Sequence, residues 1–248
     1  MRRGTLGARW SESFRGRGVS VRAADRQDSR AASGLAHDDV ATVRLDFRDS
    51  RTFGPAVEGC SALFLLRPPP IYDVKSTLIP FVDAAREAGV RQVVFLSVVG
   101  AGKNKLVPHH AVEVHLTRQS ADWTILRPGF FAQNLGDAYR LDILADNRLF
   151  VPAGQGRVAF VDVRDVADVA GLALCNAGAH ATKAYTLTGP AAVTFDEAAA
   201  ILTDALGRAI HYDNATILQY ASAARERNAY YANRSANHSS SGTAFRPG

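Results

Sequence analysis

The sequence predicts an α/β fold in which crossover helices wrap a doubly wound parallel sheet. Three observations predict it. Short β-rich runs alternate with segments whose apolar residues recur at helical spacing, the signature of βαβ units. The apolar fraction of 47% and charged fraction of 21% are those of an ordinary globular chain. A length of 248 residues can bury one substantial core and still carry a small second lobe.

Taken in order, Val19 to Ala24, Ala41 to Leu45, Ala62 to Leu66, Gln92 to Ser97 and Trp123 to Leu126 read as strands. The helical patterns among them are Ser50 to Val57, Val74 to Ala88 and Val107 to Gln119. Parallel crossovers are right-handed almost without exception, so these pieces wind into one layered sheet of Rossmann-like topology. The second half continues with strand Arg157 to Val161, a helix from about Arg164 to Cys175 and strand Ala184 to Leu187. A helix from about Phe195 to Leu206 follows, with Thr194 as its expected N-cap and Gly207 as its stop. A last strand at Ile210 to Tyr212 and a helix from Ile217 to Arg227 close the pattern. From Asn228 the chain turns to Asn, Ser, Gly and Arg, with too little apolar surface to offset the entropy of ordering. Residues 1–227 are therefore expected to form a single domain and residues 228–248 a disordered tail.

Charge and cysteine usage exclude several function classes. The net charge is +5, but the excess sits in the first thirty residues, at Arg2, Arg3, Arg9, Arg15, Arg17, Arg22, Arg26 and Arg30. Such a start attracts phosphates of any kind; with the remainder nearly balanced, no nucleic-acid partner is expected. Cys60 and Cys175 lack the spacing of a metal site or disulfide framework and are expected to be core cysteines in a reducing cytoplasm. No apolar run approaches the roughly 20 residues that cross a bilayer, and the arginine-rich start lacks a signal peptide's apolar segment. No membrane partner and no metal are expected.

A sheet of this kind usually opens with a strand and a glycine-rich turn, which lets backbone approach a pyrophosphate at a helix N-terminus. The only candidate is Gly4-Thr5-Leu6-Gly7, and the three residues before it are too few for a strand. The segment from Ala8 to Arg17 has only Trp10 and Phe14 as large apolar residues, unlike a helix that packs on a sheet. The first seventeen residues are therefore expected to derive from a wrong start or a reading-frame error. Intact mass of the natural protein tests this, and weak cofactor affinity is the consequence if the start is real.

The remaining motifs are more specific. Ser120-Ala121-Asp122-Trp123-Thr124-Ile125-Leu126-Arg127-Pro128-Gly129-Phe130-Phe131-Ala132-Gln133-Asn134 resembles the strand-and-loop signature of the NmrA-like atypical short-chain dehydrogenases/reductases. Pro152 to Arg157 leading into Phe160 to Ala167, and Tyr185-Thr186-Leu187-Thr188-Gly189-Pro190, resemble the family's next blocks. With Ala62 to Pro70 and Gln92 to Gly100, the similarity covers roughly residues 18 to 216. It implies an NAD(P)-binding Rossmann-like sheet with a small C-terminal α/β substrate lobe from about residue 130 to 227.

Position by position, the resemblance implies that Arg22 and Arg26 meet the adenosine 2′-phosphate, an anion that a guanidinium fork suits. Asp25 could instead accept the 2′-hydroxyl of NAD, so NADP is favoured with NAD possible. Gly4 and Gly7 would approach the pyrophosphate, and Asp46 and Phe47 would flank the adenine. Leu66, Arg67, Pro68 and Ser97 lie at strand ends, where ligands of open parallel sheets sit; Ser97 could equally be a hydrogen-bonded strand end. Pro128, Gly129 and Phe130 fall on the nicotinamide side, with Phe131 and Asn134 toward substrate, against the alternative of core packing. The Tyr-x-x-x-Lys pair of the wider superfamily is absent. In its place Pro108-His109-His110-Ala111-Val112-Glu113 resembles a quinone- or azo-type branch. Histidine relays protons near neutral pH, so His110, then His109, are the candidate proton donors, and Ser97 joins His110 as a candidate catalytic residue. Glu113 reads as a structural carboxylate, and Asp162 and Asp165 as helix-start acids. The expected activity is hydride transfer from NADPH to a small electron-poor acceptor, the alternative being a non-enzymatic NAD(P)-binding redox sensor. The oligomeric state is not legible.

Overall fold

Alternation within the strands decides how this chain layers. In the computed structural model, which describes residues 20–26, 40–223 and 225, four strands, Ala62–Leu66, Gln92–Leu96, Asp122–Pro128 and Lys183–Leu187, pair in parallel in that order. The path to them runs through β1 (Arg22–Asp25), β2 (Ala41–Arg44) and a 3-10 turn at Ser50–Thr52. It continues with α1 (Phe53–Val57), β3 (Ala62–Leu66), α2 (Leu78–Glu87), β4 (Gln92–Leu96), α3 (Pro108–Arg118) and β5 (Asp122–Pro128). Strands β1 and β2 form a separate parallel pair.

Side chains on a strand point alternately to opposite faces. In β4, Val93 and Phe95 pack into one buried cluster with Phe53 and Val57 of α1, Phe81 and Val82 of α2, and Val112 and Leu116 of α3. Their neighbour Val94 joins Leu126 of β5 and Ala170 and Ala173 on the other face. Both faces of β4 are thus dry, with Val93, Val94 and Phe95 fully buried, as expected of a central parallel strand.

After β5 come β6 (Phe130–Phe131), a 3-10 turn at Ala132–Leu135, α4 (Arg140–Ala145), β7 (Arg148–Val151), β8 (Val158–Val161) and α5 (Val163–Cys175). Then follow α6 (Ala177–His180), β9 (Lys183–Leu187), β10 (Ala192–Val193), α7 (Phe195–Leu206) and β11 (His211–Asn214), with helix again at 217–223. Asp162 caps α5, its carboxylate accepting the Arg164 N–H at 2.7 Å, which with the Arg164 guanidinium holds it well below the usual carboxylate range. Small residues on the buried face of α5 (Ala167, Ala170, Gly171, Ala173) let it lie close to the sheet. Gly189 is obligatory in the same way, because a Cβ there would overlap the Phe160 carbonyl oxygen.

Contacts divide the chain into two compact units, one of residues 1–133 and 159–191, the other of 134–158 and 192–248. In the second, β7 and β11 pair in parallel from Arg148↔His211 to Val151↔Asn214. Phe195 of α7 stacks on Tyr212 of β11 with centroids 5.7 Å apart. Thr194 and Glu197 form a reciprocal capping box, and Gly207 ends the helix at φ 64°, as the sequence predicts.

Several boundaries differ from the sequence reading. Strand β5 runs two residues past Leu126 because the β9 partnership continues to Pro128↔Leu187. Helix α2 starts at Leu78 rather than Val74, since Asp73 and Thr77 close a turn before it through the Thr77 hydroxyl and the Asp73 carbonyl. Strand β7 and helix α4 carried no period strong enough to read. Cys60 is half-buried and Cys175 exposed, correcting the expectation of core cysteines: Cys175 closes α5 on the side away from the sheet. Among the described residues no helix is long and apolar enough to cross a membrane.

Candidate active site at the carboxyl ends of the strands

Register brings the first functional side chains together. Leu66 of β3, Leu96 of β4 and Leu126 of β5 pair across the sheet. The next residues of the latter two strands, Ser97 and Arg127, therefore emerge side by side on the face covered by α3. Glu113, on the buried face of α3, meets both: its carboxylate accepts the Ser97 hydroxyl at 2.5 Å and the Arg127 guanidinium at 3.0 and 2.7 Å. The Glu113 side chain is 4% exposed, and the pairing raises the Arg127 pKa. A buried carboxylate needs such partners, since an unpaired one is costly to desolvate. Ser97 is itself buried with its proton committed to Glu113, which makes it an anchor for the strand end.

Arg67 shapes the neighbouring loop. Its guanidinium donates to the carbonyls of Pro68, Pro69 and Ile71 at 3.0, 3.0 and 2.7 Å and lies over the Tyr72 ring. Its Nε donates to His109 Nε2 at 3.3 Å. Arginine can only donate, so His109 carries its hydrogen on Nδ1, which is buried without a partner among the described residues. Burial, with Arg67 beside it, pushes the His109 imidazole down to about 4 against the opposing pull of Glu113. His109 is thus neutral at physiological pH.

His110, one residue on, is held differently. Its Nδ1 lies 2.8 Å from the Ala101 carbonyl oxygen, which can only accept, so Nδ1 bears the hydrogen and Nε2 is the open nitrogen. The ring is half-buried at the first turn of α3, beside the sheet's carboxyl edge. Two aliphatic side chains at that edge are exposed, Leu66 and Val99.

The other expected site residues fall as follows. Arg22 opens β1, and its guanidinium donates to the carbonyls of Glu58 and Pro55 at 2.8 and 3.3 Å, beside the end of α1. Arg26 follows β1 in an exposed turn and has no partner among the described residues. Asp46 closes a turn by accepting the Arg48 N–H at 3.0 Å, while Phe47 packs edge-on against Phe81 at 5.2 Å. Pro128 is buried at the end of β5, and the Gly129 N–H donates to Leu187 at 2.8 Å. Phe130 sits edge-on to Phe160 at 5.3 Å, and Phe131 pairs with Val161 in register. Asn134 belongs to the second unit, where its carbonyl accepts the Tyr139 N–H at 3.0 Å. Gly4 and Gly7 lie outside the described residues.

A shallow groove of about 750 Å³ lined by Arg86, Arg91, Arg118 and Asp122 lies at the amino ends of β4 and β5. Ligands of parallel sheets bind at the opposite, carboxyl ends, so the groove is not where the chemistry is expected. Sequence reasoning missed the Glu113–Arg127 pair. The available signal was a glutamate four residues after His109 on a helix face otherwise apolar, which demands a cation on the strand beneath it.

Comparison with known proteins places the chain among NAD(P)H-binding proteins. A family model described as NAD(P)H-binding matches residues 3–176. The uncharacterized oxidoreductase YesF of Bacillus subtilis is 31% identical over 213 residues, spanning 84% of this chain and 70% of the relative. The NAD(P)H azoreductase of Xenophilus azovorans is 33% identical over 204 residues, 78% of this chain and 68% of that one. Among solved structures, the NADPH-dependent quinone oxidoreductase QOR2 of Escherichia coli, complexed with NADPH, superposes with a TM-score of 0.74 at 26% identity, over 89% of this chain and 79% of its own. A parallel sheet with its charged and histidine side chains gathered at the carboxyl edge, matched along most of its length in this way, belongs to the NAD(P)H-binding, NmrA-like atypical short-chain dehydrogenases/reductases.

Proposed function

We propose that this chain is an NADPH-dependent reductase of a small electron-poor acceptor, a quinone or an azo compound. One observation carries the reading: exposed Leu66 and Val99 at adjacent strand ends lie on the same edge as a histidine pinned at Nδ1 and open at Nε2. The names of the azoreductase and quinone oxidoreductase relatives support the class of acceptor.

The described residues fit a nucleotide at this edge. Exposed aliphatic groups suit the faces of flat rings, and Arg26, exposed beyond β1 and without a partner among the described residues, lies where an adenosine 2′-phosphate would sit. That supports NADPH over NADH. Arg22 opens the same strand, with its Nη1 on two backbone carbonyls and its other donors available to the same phosphate. When bound, the nicotinamide supplies a hydride. A quinone that accepts one then needs a single proton to become the hydroquinone, and His110 would relay it: Nε2 takes up a proton from solvent and passes it to the acceptor oxygen, while Nδ1 keeps its hydrogen on the Ala101 carbonyl. His109 is unsuited to that task, since it holds no proton to spare near neutral pH. Phe130 and Phe131 would border the ring side, while Leu66 and Pro68 present backbone and apolar surface to the nucleotide.

The test is steady-state oxidation of NADPH against a panel of quinones and azo dyes. Turnover that saturates in the acceptor is expected. NADPH binding with no turnover for any acceptor would overturn the reading and favour an NAD(P)-binding regulator.

A further inference from the structure

We propose that Glu113 and Arg127 are positioning residues that lock His110 in its Nδ1–H form and so dedicate Nε2 to proton transfer. The inference deepens the proposed function, since it rests on His110 as the proton donor.

Free neutral histidine favours hydrogen on Nε2, so the opposite form must be imposed by a partner, here the Ala101 carbonyl at 2.8 Å. That carbonyl is useful only if its backbone cannot move. Ala101 is fully buried, and its N–H is tied back to the Val98 carbonyl at 3.2 Å. Gly102 lies so close to the Arg127 guanidinium that a Cβ on it would stand 2.9 Å from a terminal nitrogen and 3.5 Å from Glu113 Oε2. The 101–102 backbone therefore rests on the ion pair.

The pair is rigid for its own reasons. Both Arg127 contacts are made to one carboxylate, and the remaining capacity of that carboxylate takes the Ser97 hydroxyl. Ser97 in turn opens the loop, with its N–H on the Leu126 carbonyl at 2.8 Å, and Val99 repeats the link to Pro128 at 3.0 Å. Glu113 also lies one turn along α3 from His110, so a single ion pair fixes both the helix that carries the ring and the loop that carries its acceptor. A purely structural salt bridge would not need to touch the residue next to the acceptor.

Ring-nitrogen NMR of ¹⁵N-histidine-labelled protein reads the tautomer directly, with the His110 signals assigned through His110→Gln. In the unmodified chain His110 is expected to show a protonated Nδ1 and an unprotonated Nε2. In Arg127→Met and in Gly102→Ala it is expected to move toward the Nε2–H form, with Arg127→Lys intermediate. If Arg127→Met fails to fold, Gly102→Ala decides, because it displaces only the guanidinium from the loop. An Nε2–H ring in the unmodified chain, or an unchanged Nδ1–H ring in the folded variants, overturns the proposal. The measurement needs no turnover: an inactive chain with the expected ring states would sink the reductase reading and leave this one standing. In an active chain, Gly102→Ala is expected to lower kcat about tenfold with little change in KM.

Discussion

At the scale of single residues, two adjacent histidines are held in different settings by their neighbours. His110 keeps an open nitrogen at the edge of the sheet, and its loss is expected to be felt in chemistry rather than in binding. His110→Gln should lower kcat for quinone reduction by on the order of 10²-fold, the usual worth of a positioned proton donor. NADPH affinity, measured by fluorescence titration, should be unchanged.

His109 has the reverse character. Its folded pKa of about 4 lies below the 6.5 of an unperturbed histidine, so the unfolded chain takes up the proton first as pH falls. The stability that neutral His109 contributes is complete above pH 6.5 and is lost progressively down to about pH 4, by at most about 3 kcal/mol. Urea midpoints measured across that window should fall with pH in the natural chain and less steeply in His109→Gln. Parallel slopes would show that burial of this ring has no protonation cost.

At the scale of elements, the Glu113–Arg127 pair joins α3 to the end of β5. Removing the arginine leaves the Glu113 charge buried, so Arg127→Met should destabilise by about 3 kcal/mol or more, while Glu113→Leu leaves a guanidinium that still reaches solvent and should cost less. The double variant should cost clearly less than the sum of the two, as chemical denaturation would register. The Thr194 capping box is a local feature by comparison. Thr194→Ala should weaken α7 by about 1 kcal/mol, seen as faster amide exchange in its first turn. That cap was legible in the sequence because Thr194, Glu197 and Gly207 act through backbone within a few residues. Helix α4 and strand β7 were not, being short and held by partners such as Asp213, which ion-pairs with Arg148 from sixty-five positions away at 2.8 Å.

At the scale of the whole molecule, the α/β alternation of the parallel sheet and the family were readable from pattern and motif. On the proposed reading, nucleotide preference is set at the sheet's edge, where Arg26 follows β1. Arg26→Ser should raise the Kd for NADPH roughly tenfold and leave that for NADH unchanged, the worth of one charge-assisted contact. Equal effects on both nucleotides would remove the 2′-phosphate from the account.

By itself the sequence determined the α/β class, the NAD(P)H-binding family, the helix caps and the histidine pair at the start of α3, since each is written in local period, capping chemistry or contiguous motif. Only the tertiary structure decided which strand residues face which helix. The β4–β5 register set Ser97 beside Arg127 under Glu113, and the loop path set Ala101 against His110. It also set the Arg22 and Arg67 guanidinium groups against backbone carbonyls. The physical reason is that hydrogen bonds and ion pairs depend on distance in space, and a parallel sheet joins residues separated by whole crossover helices.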